Sequence, residues 1–380
     1  MKKIYFLFIL GILHSAFTMA QYRVKVNIFA NKKSDKLEVS IFSGTYALLD
    51  ANGNKLRELN IGSSVFVEKK YNNFSVEIKN DTTFFSDKIS LKGSGFLNLL
   101  QIKYSNSTRL YDDNLIVSMK NNFLQLINDV ELEHYIAGVV QTESGIAKNV
   151  EFFKVQAVAA RTFALKNIKK HTGEDYQLCD QTCCQVYKGR CSNSDIMIAT
   201  SKTAGEVITD SLGEIIMSVF HSNSGGQTCN SEDVWGRALP YLRSVKDTFS
   251  VAQRNYYWQK KILRKDWLAF LKNKYNYPIE DAKSVKKVVN FNQYNRRVYL
   301  VDNIDLRSIR EHFKLRSTFF SVSEDGDNVK LSGYGFGHGV GLSQEGAINM
   351  ARLGYNYIEI LKFYYLGVQI KNISELNIDL

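Results

Sequence analysis

The hydrophobic period of this 380-residue chain changes near position 120. From Tyr22 to about Met119, short alternating runs such as Lys36-Leu37-Glu38-Val39-Ser40-Ile41 are separated by turn signals such as Asp50-Ala51-Asn52-Gly53. Alternation sends every second side chain to one face, so this stretch reads as half-buried β-strands. Beyond it, Phe123 to Ile127 reads as a strand running into a helical pattern from Glu131 to Val140, with Glu143 just after. A second helical run, Glu151 to Ile168, carries Phe152, Val155, Ala159 and Phe163 on one face. Its small residues Ala157, Ala160 and Ala164 let a neighbour approach closely. Strands followed by helices define an α+β chain, with a smaller β-rich region at 21–110 and a mixed domain with several packed helices at 111–380.

The first residues bear on location. Lys2 and Lys3 precede an apolar run from Ile4 to Leu13, and Thr18-Met19-Ala20 forms a small-residue cleavage site. This is the pattern of a secretory signal peptide at 1–20. A spanning helix needs roughly 20 apolar residues, and Gly11, His14 and Ser15 interrupt this run. The remainder is expected to be exported to the periplasm or the extracellular envelope, and not to be integral to the membrane.

With 44% hydrophobic and 12% aromatic residues and two prolines, the chain can build a sizeable core. Removing the two signal lysines takes the formal charge from +11 to +9. The positive charges are scattered, so an exported protein of this kind is expected to meet anionic envelope polymers rather than nucleic acid.

Four segments carry chemistry, the Glu143 run, His171 to Cys184, His221 to Gly226 and Gly333 to Gly341, and Arg161 stands apart from them. Glu143 ends the run Gly138-Val139-Val140-Gln141-Thr142-Glu143. Arg161 is a guanidinium on an otherwise apolar helix face, which calls for a carboxylate or a ligand, a surface salt bridge being the plain alternative. His171, Cys179, Cys183 and Cys184 offer the ligand set of a structural tetrahedral zinc site. Disulfides are the rival in an oxidising compartment. Zinc at those four positions leaves Cys191 and Cys229 as a pair, and adjacent Cys183 and Cys184 suit two separate disulfides poorly, which favours metal.

The run Ile215 to Phe220 reads as a buried strand ending in His221-Ser222-Asn223-Ser224-Gly225-Gly226, whose small polar residues and glycines suit a ligand-facing loop. No orienting acid accompanies His221 and its serines in sequence, which argues against a serine hydrolase. The ladder Gly333 to Gly341 alternates strictly, so an extended chain places glycines on one face and Tyr334, Phe336, His338 and Val340 on the other. Ser343 is positioned to cap a helix that ends at Gly354, followed by a second helix from Ile358 to Leu366.

Taken in order from about Leu132 to Tyr365, several motifs resemble the stage II sporulation protein D family. They are Glu143 with Val155-Gln156-Ala157-Val158-Ala159-Ala160-Arg161-Thr162, Cys184-Gln185-Val186-Tyr187, the His221 loop, Leu315-Arg316-Ser317-Thr318-Phe319, and Gly335 to Ala347. The resemblance implies a peptidoglycan lytic transglycosylase that cuts the MurNAc-GlcNAc bond with 1,6-anhydro-MurNAc formation. Some relatives are instead modifiers of cell-wall amidases, so a non-catalytic glycan-binding amidase enhancer is the alternative. It further implies Glu143 as acid/base, with Arg161, His221, Ser222, Ser224, Gly225, His338, Ser343 and Gln344 at a glycan-binding cleft. Zn2+ at the cysteine cluster is also implied, Cys183 standing where characterised members have histidine. Ser144-Gly145 departs from the Met-Pro that often follows the family's glutamate.

One carboxyl group suffices for that chemistry. Glycosidases normally use two, whereas a transglycosylase protonates the glycosidic oxygen and then deprotonates the muramyl 6-hydroxyl with the same residue. Glu143 then needs a raised pKa from partial burial, not a close ion pair with Arg161. Arg161 is accordingly expected at substrate hydroxyl, acetamido or lactyl groups. A zinc hydrolase fits less well, because four protein ligands leave no position for water.

Overall fold

The computed structural model describes residues 22–78, 83–145 and 147–376. The leader read at 1–20 lies outside them. No helix among the described residues is long and apolar enough to cross a membrane.

The alternating runs build one large sheet. Lys36–Leu49 and Lys88–Tyr104 are its two longest strands and pair antiparallel along most of their length. Val39, Ile41, Leu48, Leu91 and Ile102 point inward from them. Register shifts at Ser43 insert extra residues into the ladder, which bends a strand. The sheet continues without a break past residue 110, because Asn114–Lys120 and Phe123–Glu131 pair with each other and extend it. Arg23–Ile28 then lies between Phe123–Glu131 and the two-residue strand Leu178–Cys179. The first strand therefore braces the cysteine segment.

Helix α1, Leu132–Glu143, follows the last long strand directly. Helix α2, Val150–Lys166, is capped by Asn149, whose side chain accepts from the backbone N–H of Glu151 and Phe152. Residues around most of its circumference are buried, from Phe152 to Leu165, which is what its alanine content permits. Helix α3, Ser194–Lys202, packs against both. Gly138 of α1 serves a close crossing, since a Cβ there would stand 2.3 Å from the Gly189 carbonyl oxygen.

A second buried cluster belongs to a module inserted between Tyr257 and Tyr334. Strands Tyr257–Leu263 and Phe320–Asp325 flank Asn328–Tyr334, and helices Arg264–Tyr275, Ala282–Val289 and Leu306–His312 cover them. Trp267, Val288 and Leu331 are fully buried there. The chain then rejoins the main core at Val340 and Leu342.

Two expectations are corrected. Ile215 to Phe220 is not a continuous strand; only Phe220–His221 is, paired with Leu342–Ser343. Its polar groups find tertiary partners instead, as when Ser218 Oγ donates to the Ala159 carbonyl at 2.8 Å. The glycine ladder is extended only as far as Tyr334, where the strand Asn328–Tyr334 ends. Gly335, Gly337, Gly339 and Gly341 all have positive φ, between 68° and 116°, so the chain coils through a space that only glycine fills. Ser343 does cap the helix Gln344–Arg352, accepting from the Gly346 N–H, and Tyr357–Tyr364 forms the second helix.

Candidate functional site

Glu143 closes α1. The last carbonyls of a helix carry partial negative charge that opposes ionisation of a nearby acid, and no basic residue occupies this last turn. Burial is the main cause that raises its carboxyl above the ordinary value of 4.5, while a backbone hydrogen bond from Val186 and the charge of Lys188 pull it down. The Val186 N–H reaches Oε1 at 3.3 Å. Gln344 Nε2 donates to the Glu143 carbonyl and to Gln156 Oε1, each at 3.2 Å. The structure thus brings Glu143 and Gln344 together.

Arg161 is elsewhere. It is fully buried, and both Nε and Nη2 donate to Glu133, the former at 2.8 Å. Nη1 donates to the Glu206 carbonyl at 2.9 Å. Glu133 precedes Glu143 by ten residues, roughly 15 Å along α1. Arg161 therefore ties α1, α2 and the segment at 206 together and does not reach a substrate, which corrects the sequence expectation.

The remaining residues divide by exposure. Ser222, Gln344 and His338 are partly exposed, whereas His221, Ser224, Gly225 and Ser343 are buried. Ser224 Oγ donates to Asp247 Oδ2 and contacts Ser250 Oγ, both at 2.7 Å, so it supports the loop from below. Ser343 Oγ accepts from the Ser224 N–H at 3.2 Å. Gly225 takes φ +71°, where a Cβ would meet the backbone of Tyr334 at 2.7 Å.

The two histidine rings lie edge to face with centroids 5.3 Å apart. His338 Nδ1 accepts from the Val340 N–H at 3.1 Å, so Nε2 carries the proton and donates to the Phe220 carbonyl at 2.9 Å. Burial lowers its pKa to about 4. Burial also holds His221 well below the usual histidine range, and its Nε2 has no hydrogen-bond partner among the described residues.

Glu345 joins these parts and was not singled out from sequence. Its carboxylate accepts from Asn223 Nδ2 and Asn255 Nδ2, each at 2.7 Å, and its N–H donates to the Ser222 carbonyl. Asp247 is equally central, fully buried under Ser224. Neither stands in a run with its partners, so only the fold assembles the network.

His171 Nε2, Cys179 Sγ and Cys184 Sγ lie within 4.8 Å of one another. Cys183 Sγ is 3.0 Å from Cys179 Sγ but its residue is exposed. One imidazole and crowded thiols form a donor set that suits zinc. Buried Asp180 fixes the segment, accepting from the N–H groups of Phe29 and Ala30. Cys191 sits against Gln141 and Cys229 beside the Gly339 backbone, so these two are not a pair.

Comparison with known proteins places residues 120–209 in the family model described as Stage II sporulation protein. That span holds Glu143, Arg161 and the cysteine cluster. The chain is 31% identical over 265 residues to Stage II sporulation protein D of Bacillus subtilis, covering 65% of this chain and 76% of that protein. It is 30% identical over 274 residues to an uncharacterized protein of Brachyspira hyodysenteriae, covering 70% and 74%. An amidase enhancer of Bacillus subtilis is 28% identical over 349 residues, with 72% of this chain and 48% of that protein covered.

Proposed function

The chain belongs to the stage II sporulation protein D family, and we propose that it acts on the cell wall as a lytic transglycosylase with Glu143 as its single acid/base. The observation that carries this reading is the state of Glu143: partly buried, raised in pKa, and paired with a backbone N–H rather than a guanidinium. A protonated Glu143 gives its proton to the glycosidic oxygen as the C1–O bond of MurNAc breaks. The resulting carboxylate then takes the proton of the muramyl 6-hydroxyl while O6 bonds to C1. The product is a 1,6-anhydro end, and Glu143 returns to its starting form.

His171, Cys179 and Cys184, with Cys183 alongside, would hold a zinc ion in a structural role. Bound there, it would fix the loop that presents Val186 to Glu143. Export to the envelope is the compartment in which the substrate lies, and peptidoglycan strands are the partner.

The likeness to an amidase enhancer favours a second reading, a glycan-binding protein that stimulates a cell-wall amidase. Mass spectrometry of glycan strands incubated with the wild type and with Glu143→Gln separates the two. Anhydro-muramyl ends from the wild type alone support the transglycosylase. No cleavage by either, with amidase stimulation intact in both, supports the enhancer.

A further inference from the structure

A pocket of ≈ 190 Å³ opens where the inserted module meets the main body. Four arginines from the module line it, Arg296, Arg297, Arg307 and Arg310, opposite Trp235 and His338 of the main body. Like charges do not converge without a reason, so the partners of each decide what the pocket is for.

Arg307 is accounted for by Glu311, at 2.9 Å, and by the Val234 carbonyl. Asp305 caps the helix that starts at Leu306, accepting from the N–H groups of Arg307 and Ser308, and Asp233 accepts from Asn230. With these three acids engaged, neither Arg296 nor Arg310 has an ion-pair partner among the described residues. Arg296 donates Nε to the Gln227 carbonyl at 2.5 Å and Nη2 to the Ser224 carbonyl, and its Nη1 is buried beside the Cys229 thiol, so it lends the pocket charge rather than a free donor edge. Arg310 makes one long contact, Nε to the Leu315 carbonyl at 3.4 Å.

His338 adds no charge, because burial and the nearby Arg310 and Arg296 hold its pKa at about 4 against the opposing hydrogen bond to the Phe220 carbonyl. Trp235 is 44% exposed and packs against that ring with centroids 5.2 Å apart. Its exposed face offers a flat apolar surface beside the Arg310 guanidinium.

We infer that this pocket binds a carboxylate carried on a sugar ring, the anion meeting Arg310, with the charge of Arg296 behind it, and the ring lying on Trp235. Planar guanidinium forks match a carboxylate in a bidentate manner. The three acids nearby disfavour a dianionic phosphate more than a monoanion. The source of the carboxylate rests on the cell-wall reading above: either the lactyl group of a muramyl residue stripped of its peptide, or a carboxylate of a stem peptide.

The test measures binding by calorimetry on the whole protein carrying Glu143→Gln, so that no strand is cut. Three probes are compared: a GlcNAc-MurNAc tetrasaccharide with free lactyl groups, the same strand bearing stem peptides, and chitotetraose, which has no carboxylate. We expect a carboxylate-bearing strand to bind roughly ten-fold more tightly than chitotetraose. Arg310→Gln should remove most of that advantage at unchanged melting temperature, and Arg310→Lys should restore part of it. An advantage confined to the stripped strand assigns the lactyl group, and one confined to the peptide-bearing strand assigns the stem peptide. Equal binding of all three probes to the Glu143→Gln protein overturns the inference, whatever Arg310→Gln does to folding. Cleavage by the wild type is read separately, from anhydro-muramyl ends, so failure of the catalytic reading is not mistaken for failure of the pocket.

Discussion

The backbone N–H of Val186 reaches Oε1 of Glu143 at 3.3 Å, and Cys184, two residues earlier, lies 3.3 Å from His171 Nε2. A ligand set that holds Cys184 thereby also positions a hydrogen bond to the carboxyl group. We expect the purified protein to contain about one zinc per chain by elemental analysis. Cys184→Ser should lose it and lower the cleavage rate about ten-fold or more, as loss of positioning groups does. Metal-free wild type with a Cys179–Cys183 disulfide and full activity would overturn the zinc assignment.

Replacement of Glu143 itself separates chemistry from fold. Glu143→Gln should reduce cleavage by at least about a hundred-fold, the range of a lost general acid/base. Its stability at neutral pH should be equal or slightly higher, because burial disfavours the charged form. For an acid whose folded pKa is raised, the stabilising contribution is complete below the unfolded value and fades as pH rises through the folded one. The wild type should therefore gain on the variant in acid and lose that gain above 4.5. Cleavage needing protonated Glu143 should decline over the same rise. A cleavage rate that increases with pH from 4.5 to 7 would contradict the assignment.

Arg161 invites a different measurement. Removing one partner of a buried pair leaves the other charge without compensation, at a cost of about 3–5 kcal/mol. Arg161→Met should cost an amount in that range in urea unfolding, and Glu133→Gln somewhat less, since Glu133 is partly exposed. Residual folded Arg161→Met should still cut glycan strands, which a substrate-contacting arginine would not permit.

His338 should not titrate near neutrality. Its pKa of about 4 lies below that of an unfolded histidine, so the stability it contributes is present above about 6.5 and is lost as pH falls towards 4. An NMR titration should find its ring neutral, with the proton on Nε2, from pH 8 down to about 5. A midpoint near 6.5 would mean that the ring is not buried between the two segments as described.

Much of this was legible in local pattern. Alternation predicted the strands, and the periodic runs predicted α1 and α2 to within a few residues, because both signals come from one buried face. Glu143 stood out because three further unusual segments follow it in order: the His171 to Cys184 cluster, the His221 loop and the glycine ladder. Arg161 misled because sequence shows that a buried guanidinium needs a partner but not which one, and Glu133 lies on another helix. The glycine ladder misled because alternation is compatible with repeated left-handed turns as well as with a strand. Glu345, Asp247 and the arginine pocket were invisible for a simpler reason: their partners come from segments up to 122 positions apart.

Gly138 shows how such tertiary demands can be tested. In a helix interior alanine is favoured over glycine by about 1 kcal/mol, so propensity alone predicts that Gly138→Ala stabilises the protein. The crossing segment reverses that expectation. A Cβ at this position would stand 2.3 Å from the Gly189 carbonyl oxygen and 2.6 Å from Tyr187 Cε2, both in the main core. Overpacking of this kind costs about 1–3 kcal/mol, which matches or exceeds the gain. Tyr187 directly follows Val186, so relief of the clash moves the group that contacts Glu143. We expect a lower melting temperature together with a reduced cleavage rate. A Gly138→Ala protein that is more stable and equally active would show that the segment from Tyr187 to Gly189 does not press on α1.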